Sequence, residues 1–113
     1  EYITRGRSYN IIHQESFVKV DLFPVVSEFH LSELERAQAV QPAGSPCIFN
    51  IASPEDILLA KLLWAKQTNY TSQRQIEDLK GIIKTQGKLM QWDYVNSWAE
   101  KLGVKEYLNK LRV

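Results

Sequence analysis

Nine consecutive residues, Ile57-Leu58-Leu59-Ala60-Lys61-Leu62-Leu63-Trp64-Ala65, are apolar except for one lysine. The residues before them carry a helix start: Ser53 as N-cap, Pro54 at the first helical position, and Glu55 and Asp56 in the first turn. Asp56 is placed for a capping-box contact, and the helix is expected to run to about Gln67. A helix apolar on nearly every side has to be buried, so the rest of the chain must close around this one. Lys61 then either snorkels out at an edge or enters a site where an anion meets it, because a buried ammonium needs a partner. Lys66 lies near the helix end, where a cation is favourable in any case.

The remainder of the second half is also helical. Ser72-Gln73-Arg74-Gln75 is a second capping-box candidate, Ile76, Leu79, Ile82 and Ile83 mark an apolar face, and Gly87 is expected to close that helix in a left-handed conformation. A third helix is predicted over Trp92 to Leu102, stopped by Gly103, and a short fourth over Lys105 to Leu111. Asn69 to Ser72 reads as a linker.

The first half reads as β. Tyr9-Asn10-Ile11-Ile12-His13-Gln14 and Phe17 to Val26 are extended runs separated by Glu15-Ser16, which predicts an antiparallel hairpin. The run Phe17-Val18-Lys19-Val20-Asp21-Leu22-Phe23 is expected to be mostly buried, and Phe17, Lys19, Asp21 and Phe23 share one of its faces. Pro24 should end regular pairing. Glu28 to Gln41 reads as a short helix or irregular excursion on the spacing of Leu31, Leu34 and Ala37. Gln41 to Pro46 is a turn-rich loop, and Cys47-Ile48-Phe49-Asn50-Ile51 a third strand. The expectation is an α+β single domain over 1–113, with 1–52 mainly β and 53–113 helical: a small mixed or antiparallel sheet packed against three to four helices.

Composition narrows the function classes. At 113 residues the chain is long enough for a modest core and short for a complete enzyme. A net charge of +1 gives no global pull toward nucleic acid or membrane. The lone Cys47 excludes an intrachain disulfide and fits a reducing compartment. No apolar run reaches the roughly 18 residues of a membrane helix and no signal-peptide pattern opens the chain, so a cytoplasmic location is expected. The sequence opens at Glu1 without an initiator Met, as a processed or shortened chain would.

Asp21 is the first candidate site residue. A carboxylate in an apolar strand needs a cation, a metal ion or hydrogen bonds to stay ionised. It either pairs with Lys19 or a helix lysine, or serves as a Mg²⁺ ligand or general base. Asp78 is another: it can pair with Arg74 one turn earlier on a solvated face, or turn inward toward Lys61. His13 and His30 have no second ligand at metal spacing. Cys47 reads as a small buried hydrophobe, and Trp64, Trp92, Trp98 and Tyr94 as bundle core, with an aromatic nucleobase shelf as the alternative.

Taken together, Tyr9-Asn10-Ile11-Ile12-His13, Lys19-Val20-Asp21-Leu22-Phe23, Ile51-Ala52-Ser53-Pro54-Glu55-Asp56 through Lys61, Ser72-Gln73-Arg74-Gln75 through Asp78-Leu79, and Trp98-Ala99-Glu100-Lys101-Leu102-Gly103 form a recognisable set. From Tyr9 onward the chain resembles the C-terminal part of the minimal, polymerase-beta-like nucleotidyltransferases, including the AbiEii-type toxins. The resemblance implies Mg-dependent transfer of a nucleoside monophosphate from a nucleoside triphosphate to an acceptor. Asp21 matches the third metal-binding acid of that family, Lys61 a helix lysine that meets the phosphates, and Asp78 a helix acid that orients that lysine or other site groups. The family's Gly-Ser motif with its following pair of acids is absent: Gly44-Ser45 leads into Pro46, and Gly6-Arg7-Ser8 leads to no acid pair. Magnesium is therefore expected only with a complete site, and the chain as it stands is expected to be incomplete or inactive. The competing expectation is a non-catalytic interaction module, one side of a toxin–antitoxin pair or a homodimer, since unpaired strand edges recruit partners. Nucleic-acid binding has little charge behind it.

Overall fold

Ser53, Ser72 and Gly103 punctuate the second half of the chain as their chemistry requires. A computed structural model describes residues 9–113, which leaves Gly6-Arg7-Ser8 outside the described residues. Among these residues are two antiparallel two-stranded sheets and five helices, an α+β fold with a helical C-terminal part. The chain divides into two compact units, residues 1–35 and 36–113.

In the first unit, β1 (Tyr9–Ile12) pairs with β2 (Lys19–Leu22) in the expected hairpin, in the register Asn10 opposite Asp21 and Ile11 opposite Val20. Its turn is closed by His13 N–H donating to the Val18 carbonyl and Phe17 N–H to the His13 carbonyl. Phe17 takes a left-handed φ of 58° there, so it leaves the extended run. His13 is a turn residue: its Nδ1 lies 2.8 Å from Ser16 Oγ and accepts from the Ser16 N–H. The strand is not buried, contrary to the expectation from its composition. Val18, Val20 and Leu22 are all exposed, as are Ile11 and Ile12. A run of apolar residues implies a buried strand only when layers cover both faces, and among the described residues β2 has β1 as its single strand neighbour. The excursion after Pro24 resolves into α1 (Glu28–Arg36), which Ser27 caps by accepting the His30 N–H on its hydroxyl.

The second unit opens with a hairpin of β3 (Gln38–Val40) and β4 (Phe49–Ile51). β4 is the expected third strand. β3 was not foreseen; three residues are too few for a period-two signal. Cys47 is exposed rather than buried, because it precedes β4 in the loop.

Four helices follow: α2 (Pro54–Gln67), α3 (Gln73–Gln86), α4 (Trp92–Leu102) and α5 (Lys105–Leu111). Their bounds match the sequence punctuation. Ser53 accepts the Asp56 N–H and Ser72 the Gln75 N–H, each from the third helical position. Gly103 ends α4 at φ 72°, left-handed as a C-cap glycine allows. Gly87 departs from expectation. It sits in the right-handed region, and a Cβ there would stand 2.3 Å from the Ile83 carbonyl oxygen, so close approach rather than handedness requires the glycine.

Leu58, Leu59, Leu62 and Ala65 of α2 form the centre of the core with Leu79, Val95, Ala99, Val104 and Leu108. Fully burying each of these leucines stabilises the fold by about 2–3 kcal/mol. The tryptophans lie outside this centre. Trp64 is 40% exposed, and Trp92 and Trp98 are half-buried with cations over their rings, Arg112 at 3.6 Å and Lys101 at 4.8 Å. Their rings close the rim of a core too small to enclose them. Two contacts set the direction of α4 against α2. Tyr94 in the first turn of α4 reaches Asp56 in the first turn of α2, and Lys66 in the last turn of α2 donates to the Leu102 carbonyl that ends α4. The two helices therefore run parallel.

Candidate functional site

Lys61 and Asp78 meet. Helices α2 and α3 are joined by the short turn 68–72, and each residue lies about a turn and a half from that connection, so an antiparallel pair brings them side by side. Lys61 Nζ is 3.4 Å from Asp78 Oδ2, with the side chains 31% and 47% exposed. Both sequence alternatives for Lys61 are partly met: its stem lies along an apolar helix, and its head reaches a carboxylate at the surface. Asp78 contacts Lys61 across the helix pair. Half-exposed charges at this distance hold each other weakly, by about 0.2–1 kcal/mol.

Asp21 stands in the first unit. Its Oδ1 is 3.4 Å from Lys19 Nζ, its neighbour along the same strand face, and both side chains are about half exposed. Water therefore reaches this carboxylate directly. Among the described residues, no three His, Cys, Asp or Glu side chains group in a way that could hold a metal ion. A two-metal centre needs several carboxylates, and Asp21 with Lys19 beside it does not constitute one.

The most highly organised polar cluster lies elsewhere, at the start of α2. The Asp56 side chain is fully buried, and both of its oxygens are occupied. Oδ1 accepts from the Tyr94 hydroxyl at 2.5 Å; Oδ2 accepts from Ser53 Oγ at 2.8 Å and Arg36 Nε at 3.3 Å. Arg36 also donates through Nη2 to Glu55 at 2.9 Å, and its guanidinium lies 3.7 Å from the centre of the Tyr94 ring. The capping box thus takes an altered form: the Asp56 carboxylate returns to the Ser53 hydroxyl rather than to its backbone N–H. One guanidinium faces two carboxylates in a low-dielectric setting, and every buried oxygen of Asp56 has a donor, as such burial demands.

Sequence reasoning placed Asp56 as a cap and missed Arg36 and Tyr94 as its partners. One signal was present. Arg36 is the single Lys or Arg between Lys19 and Lys61, so a buried acid at 55 or 56 has one candidate cation between itself and Lys19 on its N-terminal side. Outside this cluster an open cleft of about 520 Å³ is lined by Arg36, Gln38, Ser53, Glu55, Gln86 and Gln91 among others. A second cleft, of about 400 Å³, lies between the turn after α2 and α5, lined by Lys66, Asn69, Tyr70, Glu106, Tyr107 and Lys110. There Tyr70 stacks on Tyr107 with ring centres 3.9 Å apart. Burial first, then the nearby Tyr107 and Glu106, raises the Tyr70 phenol above its ordinary pKa. Neither cleft is lined by Lys61 or Asp78.

No helix among the described residues is long and apolar enough to cross a membrane. No protein-family model, no curated protein and no solved structure matches this chain.

Proposed function

We propose that this chain is the C-terminal portion of a nucleotidyltransferase-like protein, in which Lys61 meets the phosphates of a nucleoside triphosphate and Asp78 holds the lysine ready. The observation that carries this reading is the contact between Lys61 Nζ and Asp78 Oδ2 at 3.4 Å, the acid–lysine relationship that the sequence resemblance implies. An ammonium held by one half-exposed carboxylate exchanges that partner readily for a polyanion, where several oxygens compete for its three donors. The metal-binding role that the resemblance assigns to Asp21 would need further carboxylates beside it. As it stands the chain binds nucleotide and does not transfer it.

Titration with Mg²⁺ and ATP, then each other nucleoside triphosphate, tests this by amide chemical shifts in NMR spectra. Shifts centred on Lys61 and Asp78, lost in Lys61→Ala, are expected. Unchanged spectra at millimolar nucleotide would overturn the reading.

A second reading is a non-catalytic interaction module. It is favoured by the β1–β2 hairpin, whose Ile11, Val20 and Leu22 project from one face and are all exposed. A two-stranded sheet with an open apolar face is marginal in water, so such a hairpin is most stable when another chain joins it.

A further inference from the structure

We propose that β2 pairs antiparallel with β2 of a second copy of this chain, about a two-fold axis passing through Val20. The proposal rests on the interaction-module reading and names its partner.

β2 has one strand neighbour, β1, so its other edge carries no partner strand among the described residues. The register decides which backbone groups point to that edge. His13 N–H donates to the Val18 carbonyl, which makes His13 and Val18 a hydrogen-bonded pair. Such pairs alternate along an antiparallel ladder, so Ile11–Val20 is the next, and Ile12–Lys19 and Asn10–Asp21 are the non-bonded pairs. The N–H and C=O groups of Lys19 and Asp21 therefore face away from β1. They are the groups a joining strand would use.

The side chains at this edge read alike in both directions. Around Val20 the sequence is Val18-Lys19-Val20-Asp21-Leu22. Reversed on itself about Val20, it sets Lys19 opposite Asp21 of the other copy, Asp21 opposite the other Lys19, Val18 opposite Leu22, and Val20 opposite Val20. The Lys–Asp positions coincide with the hydrogen-bonded pairs that the outward backbone groups would form. Val20 falls on a non-bonded pair, where side chains approach most closely. Opposite charges and apolar side chains directly across a ladder are each stabilising, and like charges destabilising. Shifting the register by one residue at either copy sets apolar residues against charges on the wrong face. Shifting it by two brings Lys19 against Lys19 or Asp21 against Asp21. A parallel in-register arrangement likewise aligns like charges. One antiparallel register remains, and it is isologous, as a closed dimer requires. It converts two marginal hairpins into one four-stranded sheet in the order β1–β2–β2–β1.

Charge exchange tests the register directly. Sedimentation equilibrium of the intact chain is expected to give twice the monomer mass. Lys19→Asp and Asp21→Lys each place like charges opposite one another across the axis and are expected to weaken dimerisation at least tenfold. The double variant K19D/D21K restores opposite charges and should dimerise as the unaltered chain does. Mixing the two single variants should give a heterodimer, because each then faces only its opposite. Far-UV circular dichroism, dominated by α2–α5, confirms that each variant is folded. A chain that stays monomeric at high concentration overturns the proposal. A dimer indifferent to both single substitutions also overturns it, but leaves the interaction-module reading standing through some other surface.

Discussion

The Tyr94 hydroxyl donates to Asp56 Oδ1 at 2.5 Å across 38 positions of sequence. That bond joins the first turn of α4 to a carboxylate with no solvent exposure, and with Arg36 it makes the start of α2 depend on two distant side chains rather than on its cap alone. Tyr94→Phe keeps the ring beneath Arg36 and removes one donor from a buried anion. The expected loss is about 1–3 kcal/mol, read from the midpoint of chemical denaturation.

Removing the cation should cost more. Arg36→Met leaves Glu55 and Asp56 adjacent and without their guanidinium, and breaking a buried ion pair in this way costs about 3–5 kcal/mol. Because Arg36 itself is 28% exposed, the lower end of that range is expected. Replacing Asp56 by Asn in the same background should recover part of the loss in the same denaturation experiment, since it removes the stranded charge.

Gly103→Ala combines two penalties. The residue holds φ 72°, and a Cβ there would stand 2.8 Å from Lys66 Nζ. An alanine in this left-handed region costs about 1–2 kcal/mol, and displacing Lys66 also breaks its bond to the Leu102 carbonyl. In a Lys66→Met background the second part disappears, so the glycine substitution should cost less there. Thermal unfolding of the four combinations measures the difference.

The Tyr70 phenol gives the fold a limit at high pH. Its folded pKa is raised, by burial first and then by Tyr107 and Glu106, so the folded state holds the proton more tightly than the unfolded chain. The stability this contributes is complete below the ordinary tyrosine value of about 10 and is lost as pH rises through the folded value. Denaturation midpoints should fall above that pH, and fall less in Tyr70→Phe.

For Lys61 and Asp78 the expectation runs the other way. A double-mutant cycle between Lys61→Ala and Asp78→Ala should give a coupling of about 0.2–1 kcal/mol. Stability then barely registers the loss of Lys61, and any nucleotide-dependent spectral change that disappears with it reports binding rather than unfolding.

The helical half of this fold is written in local chemistry. Ser53, Ser72 and Gly103 act within a turn of themselves, so their sequence context suffices to locate helix ends. What lay beyond the sequence was whatever depended on a neighbouring layer. Val18, Val20 and Leu22 read as buried, but burial belongs to what covers a strand, and one hairpin partner covers little. Trp64 and Trp98 read as core because they are large, and for the same reason a core built from Leu58, Leu62 and Val95 leaves them at its rim. The Lys61–Asp78 contact was legible because one short turn joins their helices. The Arg36–Asp56–Tyr94 cluster was not, because it gathers residues from three separated segments.

The parallel course of α2 and α4 has a consequence for how this unit opens. Tyr94 fastens the two helices at their starts and Lys66 fastens them at their ends, so neither can slide along or peel from the other by loosening at one end. Amide hydrogens in the middle of α2 and α4 should consequently exchange with solvent together and at one rate, as a single cooperative block, rather than fraying inward helix by helix.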